Sequence, residues 1–495
     1  MGAYEELESH FGRLTRIEEA IGMLHWDAAT MMPAGGAEAR SEQLATLRVI
    51  AHEMLTDPKL AELIAASHEN SELDAWQVAN LKEMGRLWLH STTVPAELVD
   101  KLSRKGSACE MVWRAARPDN DFKRLQPYLK AVLELTREVA VIKGEAFKCS
   151  PYDALLDQYE PGGASVRIDA IFDDLAEFLP GFLEAVLERQ AARPPALALD
   201  GPFAIEAQRS LAIRLMTKLG FDFNYGRLDV SVHPFCGGVP DDVRITTAYN
   251  TSDFLRGMMG VLHETGHALY ERGLPAKWRY QPVGRARGMS LHESQSLLVE
   301  MQACRSEQFV SYVAPLAGEA FGKSGAPWQA DNLYRHVTRV SRGLIRVHAD
   351  EVTYPAHVIL RYRLEKAMVA GDLQIAELPG AWAEGMAALL GATPPDDRDG
   401  CMQDIHWMDG AFGYFPTYTL GAMTAAQLFQ SAQASDPDVL DGLGRGDFSP
   451  LMSWMGEHVH AKGSLLSTDE LLTEATGQPL DASFFKAHLK NRYLP

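Results

Sequence analysis

The stretch His263-Glu264-Thr265-Gly266-His267 constrains the fold and the chemistry of this chain more than any other part of its sequence. Histidines four residues apart lie on one face of an α-helix, so both imidazoles can bind the same metal ion. Glu264 would then lie beside the ion, in position to act as a base. The apolar residues Phe254, Met258 and Leu262 recur at helical spacing, which predicts the helix that the motif requires.

Signals for both ends of this helix are present. We expect Ser252 to cap its start, and Gly273 with Pro275 to end it. The alternative is a helix that carries two ordinary histidines with an unrelated glutamate between them. The helical context of the motif favours the metal site over that alternative.

A third ligand must come from elsewhere in the chain, because a catalytic zinc site has three protein ligands and one open position. We predict Glu293, which follows in a second long helix over residues 291–313. His292 and Glu300 are rival ligands. A structural alternative is that Ser290 and Glu293 form a capping box at the start of that helix.

Charge and composition limit the partners and the compartment. Because acidic residues outnumber basic ones by 66 to 47, for a net charge of -19, we expect neither nucleic acid nor a membrane as a partner. The five cysteines are scattered singly and predict reduced thiols. The N-terminal segment is acidic where a signal peptide would be basic, and no run approaches the ~18 apolar residues of a membrane span. These features predict a cytoplasmic protein.

Helical periodicity dominates the chain of 495 residues and predicts a mostly α fold. The proline-rich stretch 192–202 is the best candidate for a boundary, so we predict an N-terminal helical lobe, residues 1–200, and a catalytic lobe, residues 201–495. Apolar alternation over residues 227–247 predicts one small β-sheet beside the active-site helix. The segment 328–370 is predicted to be helical, with a break or kink at Pro355.

Seven short motifs stand out together along the chain. They are Leu24-His25-Trp26-Asp27, His233-Pro234-Phe235, Asp242-Val243-Arg244-Ile245-Thr246, His263-Glu264-Thr265-Gly266-His267, His292-Glu293-Ser294-Gln295-Ser296, Ile345-Arg346-Val347-His348-Ala349-Asp350 and Gly400-Cys401-Met402-Gln403-Asp404-Ile405-His406-Trp407. In this combination the chain resembles the carboxypeptidase Taq family of metallocarboxypeptidases.

The resemblance implies a two-lobed helical metallopeptidase with a deep groove between the lobes, one wall of which residues 1–200 would form. It also implies a homodimer that removes single residues from the C-termini of peptides with broad specificity, proline being disfavoured. By the same resemblance His263, His267 and Glu293 match the metal ligands, and Glu264 matches the general base.

The chemistry of these residues agrees with those roles. Two neutral imidazoles and one carboxylate leave a divalent ion with a net positive charge, which lowers the pKa of bound water and polarises a carbonyl. Glu264 can then move the proton of the water to the leaving amine. The expected metal is zinc, with cobalt as the alternative. Non-haem iron accepts the same donor set, but a glutamate directly after the first histidine suits hydrolysis better.

A carboxypeptidase must also bind the terminal carboxylate of its substrate, and the planar guanidinium of arginine does so with two parallel hydrogen bonds. The family resemblance points to Arg346. On its own, an arginine near Asp350 is more often half of an exposed ion pair on a helix. Arg285 and Arg287, in the loop between the two metal helices, are competitors.

Two further residues are candidates for substrate binding. His406 and Tyr414 could donate hydrogen bonds to an oxyanion or to the substrate backbone, although an isolated residue of either type is usually structural. His233 and Arg244 are expected to shape the groove, and Asp242 can pair with Arg244 on one face of a strand.

The leading hypothesis is a metal-dependent carboxypeptidase. A zinc endopeptidase of similar fold is the nearest rival, because the metal motif does not specify which peptide bond is cut. A non-catalytic helical scaffold that keeps the metal for stability is the second alternative. The glutamate between the histidines argues against the scaffold, since a structural zinc site needs no base and prefers four protein ligands.

Overall fold

The computed structural model of the protein describes residues 2–495, and within that range α-helices supply most of the structure. Nine helices precede the sheet: α1 Ala3–Thr30, α2 Ala37–Leu55, α3 Lys59–His68, α4 Ala75–Thr92, α5 Ala96–Ala116, α6 Phe122–Phe147, α7 Pro151–Leu156, α8 Ser165–Ala191 and α9 Ile205–Leu219. Eleven follow it: α10 Phe254–Gly273, α11 Met289–Leu297, α12 Glu307–Phe321, α13 Ala330–Val337, α14 Tyr354–Ala370, α15 Leu378–Leu390, α16 Pro416–Ser435, α17 Asp438–Arg445, α18 Ser449–His458, α19 Thr468–Thr476 and α20 Ala482–Tyr493. None of the described helices is long and apolar enough to cross a membrane.

The predicted β region forms one sheet of three strands, β1 Gly226–Val230, β2 Cys236–Val239 and β3 Asp242–Thr247. Its order is β1-β3-β2, with β1 parallel and β2 antiparallel to the central β3. The buried Val243 and Ile245 of β3 pack with Val261 and Ala268 of α10. The sheet therefore lies against the helix that carries the two histidines, as predicted. The mostly α fold with one small sheet is confirmed.

The buried side chains form one large cluster and a smaller one at the N-terminus. The large cluster includes side chains from α5 to α20 and so contains residues on both sides of position 200. The smaller cluster joins α1, α3 and α4 through side chains such as Phe11, Leu60 and Leu81. The division of the chain at residue 200 stays a prediction.

The ends of the first metal helix depart from the sequence interpretation at one position. The N-cap of α10 is Asp253, whose carboxylate accepts a hydrogen bond of 3.2 Å from the backbone N–H of Arg256. Ser252 instead donates to the side chain of Asn250. The prediction of Ser252 as the cap was therefore wrong by one residue. The predicted end at Gly273 is confirmed, since α10 ends there.

Two long predicted helices are shorter in the structure. The helix expected over 291–313 is divided into α11, a π-helical segment, Leu298–Ala303, and α12. Ser306 is the N-cap of α12, and its hydroxyl accepts a hydrogen bond from the backbone N–H of Phe309. The segment 328–370 is α-helical only in α13 and α14, and the chain between them is irregular apart from one short 3₁₀ turn. Pro355 lies in the first turn of α14, where its missing N–H removes no helical hydrogen bond, so it neither breaks nor kinks the helix.

One buried carboxylate joins the C-terminal helix to the segment between α13 and α14. Glu351 is fully buried and accepts hydrogen bonds from His488 Nε2 at 2.7 Å, Arg492 Nη1 at 3.0 Å and Tyr493 Oη at 3.0 Å. Although burial raises the pKa of Glu351, its contacts with His488 and Arg492 outweigh burial and hold the pKa far below the ordinary range. Helix α20 thereby fixes the chain that follows Arg346.

We expect the Glu351→Gln variant to lower the free energy of unfolding by about 3–5 kcal/mol, because it leaves Arg492 buried without a charged partner. In the parent protein the stabilisation from Glu351 is complete above the unfolded pKa of about 4.3 and is lost as the pH falls below it. Denaturant unfolding at several pH values measures both effects. Asp100→Asn, in the exposed pair with Arg104, is the control and should change stability little. An equal loss in both variants would contradict the prediction.

Candidate metal centre

The two histidines of the motif lie on neighbouring turns of α10, with ring centroids 5.0 Å apart. Glu293 lies in the middle of α11, which packs directly on α10. One ligand atom from each of His263, His267 and Glu293 can be chosen such that all lie within 4.8 Å of one another. His267 Nε2 and Glu293 Oε2 are 3.6 Å apart. The structure therefore brings together the three residues predicted as ligands, and this donor set fits a divalent metal ion.

Two glycines allow α11 to approach so closely. A Cβ at Gly266 of α10 would lie 2.5 Å from the carbonyl oxygen of Gln295 in α11. A Cβ at Gly421 of α16 would lie 2.9 Å from the Cβ of Glu293. Helix α11 is therefore held between α10 and α16 at backbone contact distance. This packing fixes the position of the Glu293 carboxylate.

Glu300, a rival ligand in the sequence analysis, lies behind His263 and outside the group of three. Its Oε2 is 3.0 Å from His263 Nδ1, and its Oε1 accepts from Arg305 Nη2 at 2.6 Å. Burial raises the pKa of Glu300, but Arg305 and His263 outweigh it and lower the pKa to about 2. The ionised carboxylate holds a proton on Nδ1, so Nε2 of His263 is the free nitrogen that faces a metal. Glu300 lies in the π-helical segment, a geometry common at functional sites.

His292, the other rival, performs a similar task for the second ligand. Its Nδ1 is 2.7 Å from Nδ1 of His267, and its Nε2 is 2.8 Å from Glu271 Oε1. A chain of hydrogen bonds thus runs from Glu271 through His292 to His267. Burial and the charges of His292 and His263 lower the pKa of His267, which keeps this imidazole neutral as a ligand must be.

The capping box predicted as an alternative for Glu293 does not form. The N-cap of α11 is Gly288, and no side chain caps this helix. The backbone N–H of Ser290 instead donates to Glu160 Oε2 at 3.1 Å. The helix begins earlier than the capping box requires, so the Glu293 side chain is free to face the histidines.

Glu264 is buried beside the three candidate ligands, with 8% of its surface exposed. Burial raises the pKa of its carboxyl, the charge of His263 opposes this, and the charges of Glu293 and Glu300 add to it, which brings the pKa to about 7. A carboxylate with a pKa near neutrality can both accept a proton and return it. The neighbourhood of Glu264 therefore suits the role of a general base.

Arg346 is buried in a short 3₁₀ turn, Arg346–His348, between α13 and α14. It does not pair with Asp350, so the alternative of an exposed helical ion pair was wrong. Its Nε and Nη2 donate to the single oxygen Oδ1 of Asp404, at 3.0 Å and 2.8 Å. The carboxylate of Asp350 is instead occupied by backbone N–H groups, including those of Ser341 and Thr353.

His406 and Tyr414 lie next to one another, with ring centroids 5.5 Å apart. Burial and the charge of Arg346 lower the pKa of His406 to about 4, so its imidazole is neutral at pH 7. Burial raises the pKa of Tyr414 well above its ordinary value. Both side chains therefore keep a proton at neutral pH.

Sequence reasoning missed Tyr418, which lies between the two groups of substrate-binding candidates. Its ring is 4.8 Å from the guanidinium carbon of Arg346, and its hydroxyl is 3.2 Å from His406 Nε2. Tyr418 lies in the first turn of α16, four residues after Tyr414, which precedes that helix, and this spacing of two tyrosines was the only available signal. Aromatic residues at that spacing usually belong to a core.

Arg285 and Arg287, the competitors for the carboxylate-binding role, bind the N-terminal helices instead. Arg285 Nη2 donates to Thr15 Oγ1 at 2.9 Å and to Glu18. Arg287 Nη1 donates to the buried carboxylate of Glu83 at 2.5 Å. Their charges are therefore already neutralised by carboxylates of the same chain. These arginines hold the loop before α11 against α1 and α4.

The residues expected to shape the groove lie on the sheet and in the segment between two of its strands. Arg244 Nε and Nη2 donate to the two carboxylate oxygens of Asp242 at 3.0 Å and 2.6 Å, as predicted for this pair. The guanidinium of Arg244 also lies 4.4 Å from the ring centroid of Trp26 in α1. His233 is exposed in the segment between β1 and β2.

Comparison with known proteins agrees with the geometry of this site. The family model of the carboxypeptidase Taq (M32) metallopeptidases matches residues 6–493. The chain belongs to the carboxypeptidase Taq family. Its relatives include thermostable carboxypeptidase 1 of Thermus thermophilus, 39% identical over 99% of this chain and 98% of the relative. Carboxypeptidase 1 of Bacillus subtilis is 32% identical over 97% of this chain and 96% of the relative.

Solved structures of the carboxypeptidase Taq family have the same fold. Metallocarboxypeptidase 1 of Trypanosoma cruzi is 40% identical and superposes with a TM-score of 0.98, covering 100% of this chain and 99% of that one. The M32 carboxypeptidase of Deinococcus radiodurans is 34% identical, with a TM-score of 0.93 over 99% of this chain and 98% of that one. The protein is therefore a metallocarboxypeptidase, and the family implies a divalent metal.

The close packing of α11 on α16 leads to a prediction about metal affinity. In Gly421→Ala the new methyl group overlaps the Cβ of Glu293, so we expect the carboxylate to shift and the affinity for the metal to fall by about tenfold or more. Competition with a chelator of known affinity measures the effect. Gly456→Ala in α18 is the matched control, because nothing lies within 4 Å of its added methyl group. Equal metal affinities in the two variants would show that the contact does not position Glu293.

Proposed function

We propose that the protein hydrolyses the C-terminal peptide bond of peptides and releases single amino acids with broad specificity, proline being disfavoured. The observation that carries this proposal is the charge around Arg346. Arg346 and Arg361 share one carboxylate, that of Asp404, whose side chain is 11% exposed. The three groups together have an excess of one positive charge. The terminal carboxylate of a peptide would neutralise it.

Two further features of Arg346 support its role as the carboxylate-binding residue. Its Nη1 has no hydrogen-bond partner among residues 2–495, and it is not sealed from solvent. Its charge also acts on Glu293, since burial raises the pKa of Glu293 while Arg346 is among the groups that lower it. The free donor therefore lies in the neighbourhood of the metal centre.

In this proposal His263, His267 and Glu293 bind the metal, with zinc as the expected ion and cobalt as the alternative. The ion would supply a Lewis acid that polarises the scissile carbonyl and lowers the pKa of water. Glu264 accepts the proton of the attacking water and delivers it to the leaving amine. The raised pKa of Glu264, caused first by burial, supports this double role.

His406 and Tyr414 are proposed to bind the substrate. Each keeps a donor proton near neutral pH, which supports hydrogen bonding to the oxygen on which negative charge develops. Tyr418, which contacts His406, is proposed to join this group. A homodimer, a cytoplasmic location and the absence of nucleic acid and membrane partners stay predictions.

The role of the base can be tested with the isosteric variant Glu264→Gln. We expect its metal content to equal that of the parent, while kcat falls by at least about 10²-fold, because the amide cannot accept the proton. Elemental analysis and peptide hydrolysis measure the two quantities on one preparation. Unchanged activity would contradict the base role. No hydrolysis of peptides by the metal-loaded parent protein would favour the alternative of a non-catalytic helical scaffold that keeps its metal for stability.

The reaction class can be tested with one peptide and its C-terminally amidated twin. We expect stepwise loss of single C-terminal residues from the free peptide only, because Arg346 needs a carboxylate to bind. Arg346→Ala should lower kcat/KM for the free peptide by about tenfold or more. Mass spectrometry of the products shows which bond is cut. Internal cleavage of both peptides would favour the endopeptidase alternative.

A further inference from the structure

Helix α14 presents two charged side chains to the segment that contains His406 and Tyr414. Arg361 and Glu365 lie one helical turn apart, and neither has any exposed surface. Fully buried charges are costly unless each is paired and hydrogen-bonded. The hydrogen-bond partners of Arg361 and Glu365 therefore indicate the role of each buried side chain.

Arg361 binds the carboxylate that also binds Arg346. Its Nε donates to Asp404 Oδ2 at 2.6 Å, while Arg346 occupies the other oxygen, Oδ1. Its Nη1 donates to the carbonyl oxygen of His357 at 2.8 Å, and its guanidinium lies 4.5 Å from the ring centroid of Trp382. Arg361 thus holds Oδ2 of the Asp404 carboxylate, and Oδ1 is the oxygen that remains to orient the guanidinium of Arg346.

Glu365 holds the same segment at two later positions. It accepts from Trp407 Nε1 at 2.9 Å and from the backbone N–H of Gly413 at 2.9 Å, the residues adjacent to His406 and Tyr414. A third bond, of 2.5 Å, comes from the hydroxyl of Tyr152 in α7. All three donors are satisfied by one buried carboxylate.

The backbone at Gly413 reinforces this attachment. Its φ of +89° favours glycine, and a Cβ there would lie 2.8 Å from the backbone of Leu155 in α7. The segment from Asp404 to Tyr414 is therefore confined between α7 and α14. Arg361 fixes its beginning and Glu365 fixes its middle and end.

We propose that Arg361 and Glu365 are positioning residues, which orient Arg346 through Asp404 and orient His406 and Tyr414 through Trp407 and Gly413. This inference rests on the proposed carboxypeptidase function, since it assigns Arg346 to the terminal carboxylate of the substrate. Neither residue touches the substrate. Each acts by holding a residue that does, so the two should affect different steps of the reaction.

Arg361 can be tested by peptide binding in a Glu264→Gln background, in which hydrolysis does not interfere. The probes are one peptide and its amidated twin, titrated calorimetrically into metal-loaded full-length protein. In the parent background we expect the free peptide to bind about tenfold or more tighter than its twin. Arg346→Ala should abolish this selectivity.

Arg361→Met should reduce the selectivity severalfold, and adding it to Arg346→Ala should reduce it no further, because both substitutions act on the same contact. Arg361→Lys should restore part of the selectivity, since its ammonium group keeps a charge beside Asp404. Tyr362→Phe is the matched control. It removes the contacts of the Tyr362 hydroxyl with Ser165 and Asp169 of α8 and should leave selectivity unchanged.

The outcomes separate this inference from the proposed function. Selectivity that depends on Arg346 but survives Arg361→Met would overturn the positioning role alone. Equal weakening of both peptides by Arg361→Met would do the same, because it would indicate a general structural defect. The absence of any selectivity in the parent would overturn the proposed function itself.

Glu365 can be tested by steady-state kinetics in the otherwise unaltered enzyme. In Glu365→Gln the carboxylate oxygens become one carbonyl oxygen and one amide nitrogen, so either Trp407 or Gly413 faces a donor instead of an acceptor. We expect kcat to fall about tenfold with a smaller change in KM, while Arg361→Met raises KM more than it lowers kcat. The same change in both parameters for both variants would overturn the separate assignments.

Discussion

The metal centre depends on the contact of α11 with both α10 and α16. Helix backbones normally stay apart because side chains lie between them, but Gly266 and Gly421 remove that spacing on either side of α11. Glu293 is thereby brought to 3.6 Å from His267. The third candidate ligand is therefore placed by helix packing, whereas the first two candidates are placed by the repeat of a single helix.

An outer layer of hydrogen bonds completes the centre. Glu300 binds the rear nitrogen of His263, and His292 binds the rear nitrogen of His267. These contacts determine which nitrogen of each imidazole is free, and they restrict the rotation of the rings. Both imidazoles are thus held in place by partner side chains from the helix α11 and the π-helical segment that follows it.

Their surroundings give two glutamates near the metal centre opposite pKa shifts. Glu300 has Arg305 and His263 as partners, which lower its pKa to about 2 against the effect of burial. Glu264 has no such partner, so burial raises its pKa to about 7. The first is a permanent charge and the second can exchange a proton. A similar contrast links Asp404 and Glu365, since Asp404 is paired with two arginines, whereas Glu365 accepts only neutral donors.

The sequence by itself determined the parts of this protein that depend on short-range spacing. The histidine pair, its base, the small sheet and the mostly α fold could be predicted, because each follows from a local repeat. For the choices between Glu293, His292 and Glu300 and between Arg346, Arg285 and Arg287, only the tertiary structure shows which side chains lie together and which are already paired. Those choices depend on which distant side chains neutralise each charge, and Asp404, Glu83 and Arg305 have no local signal that reveals their partners. Tertiary packing determines the protonation state of a buried ionisable group, because the pKa of a group removed from water depends on the charges and hydrogen-bond partners around it.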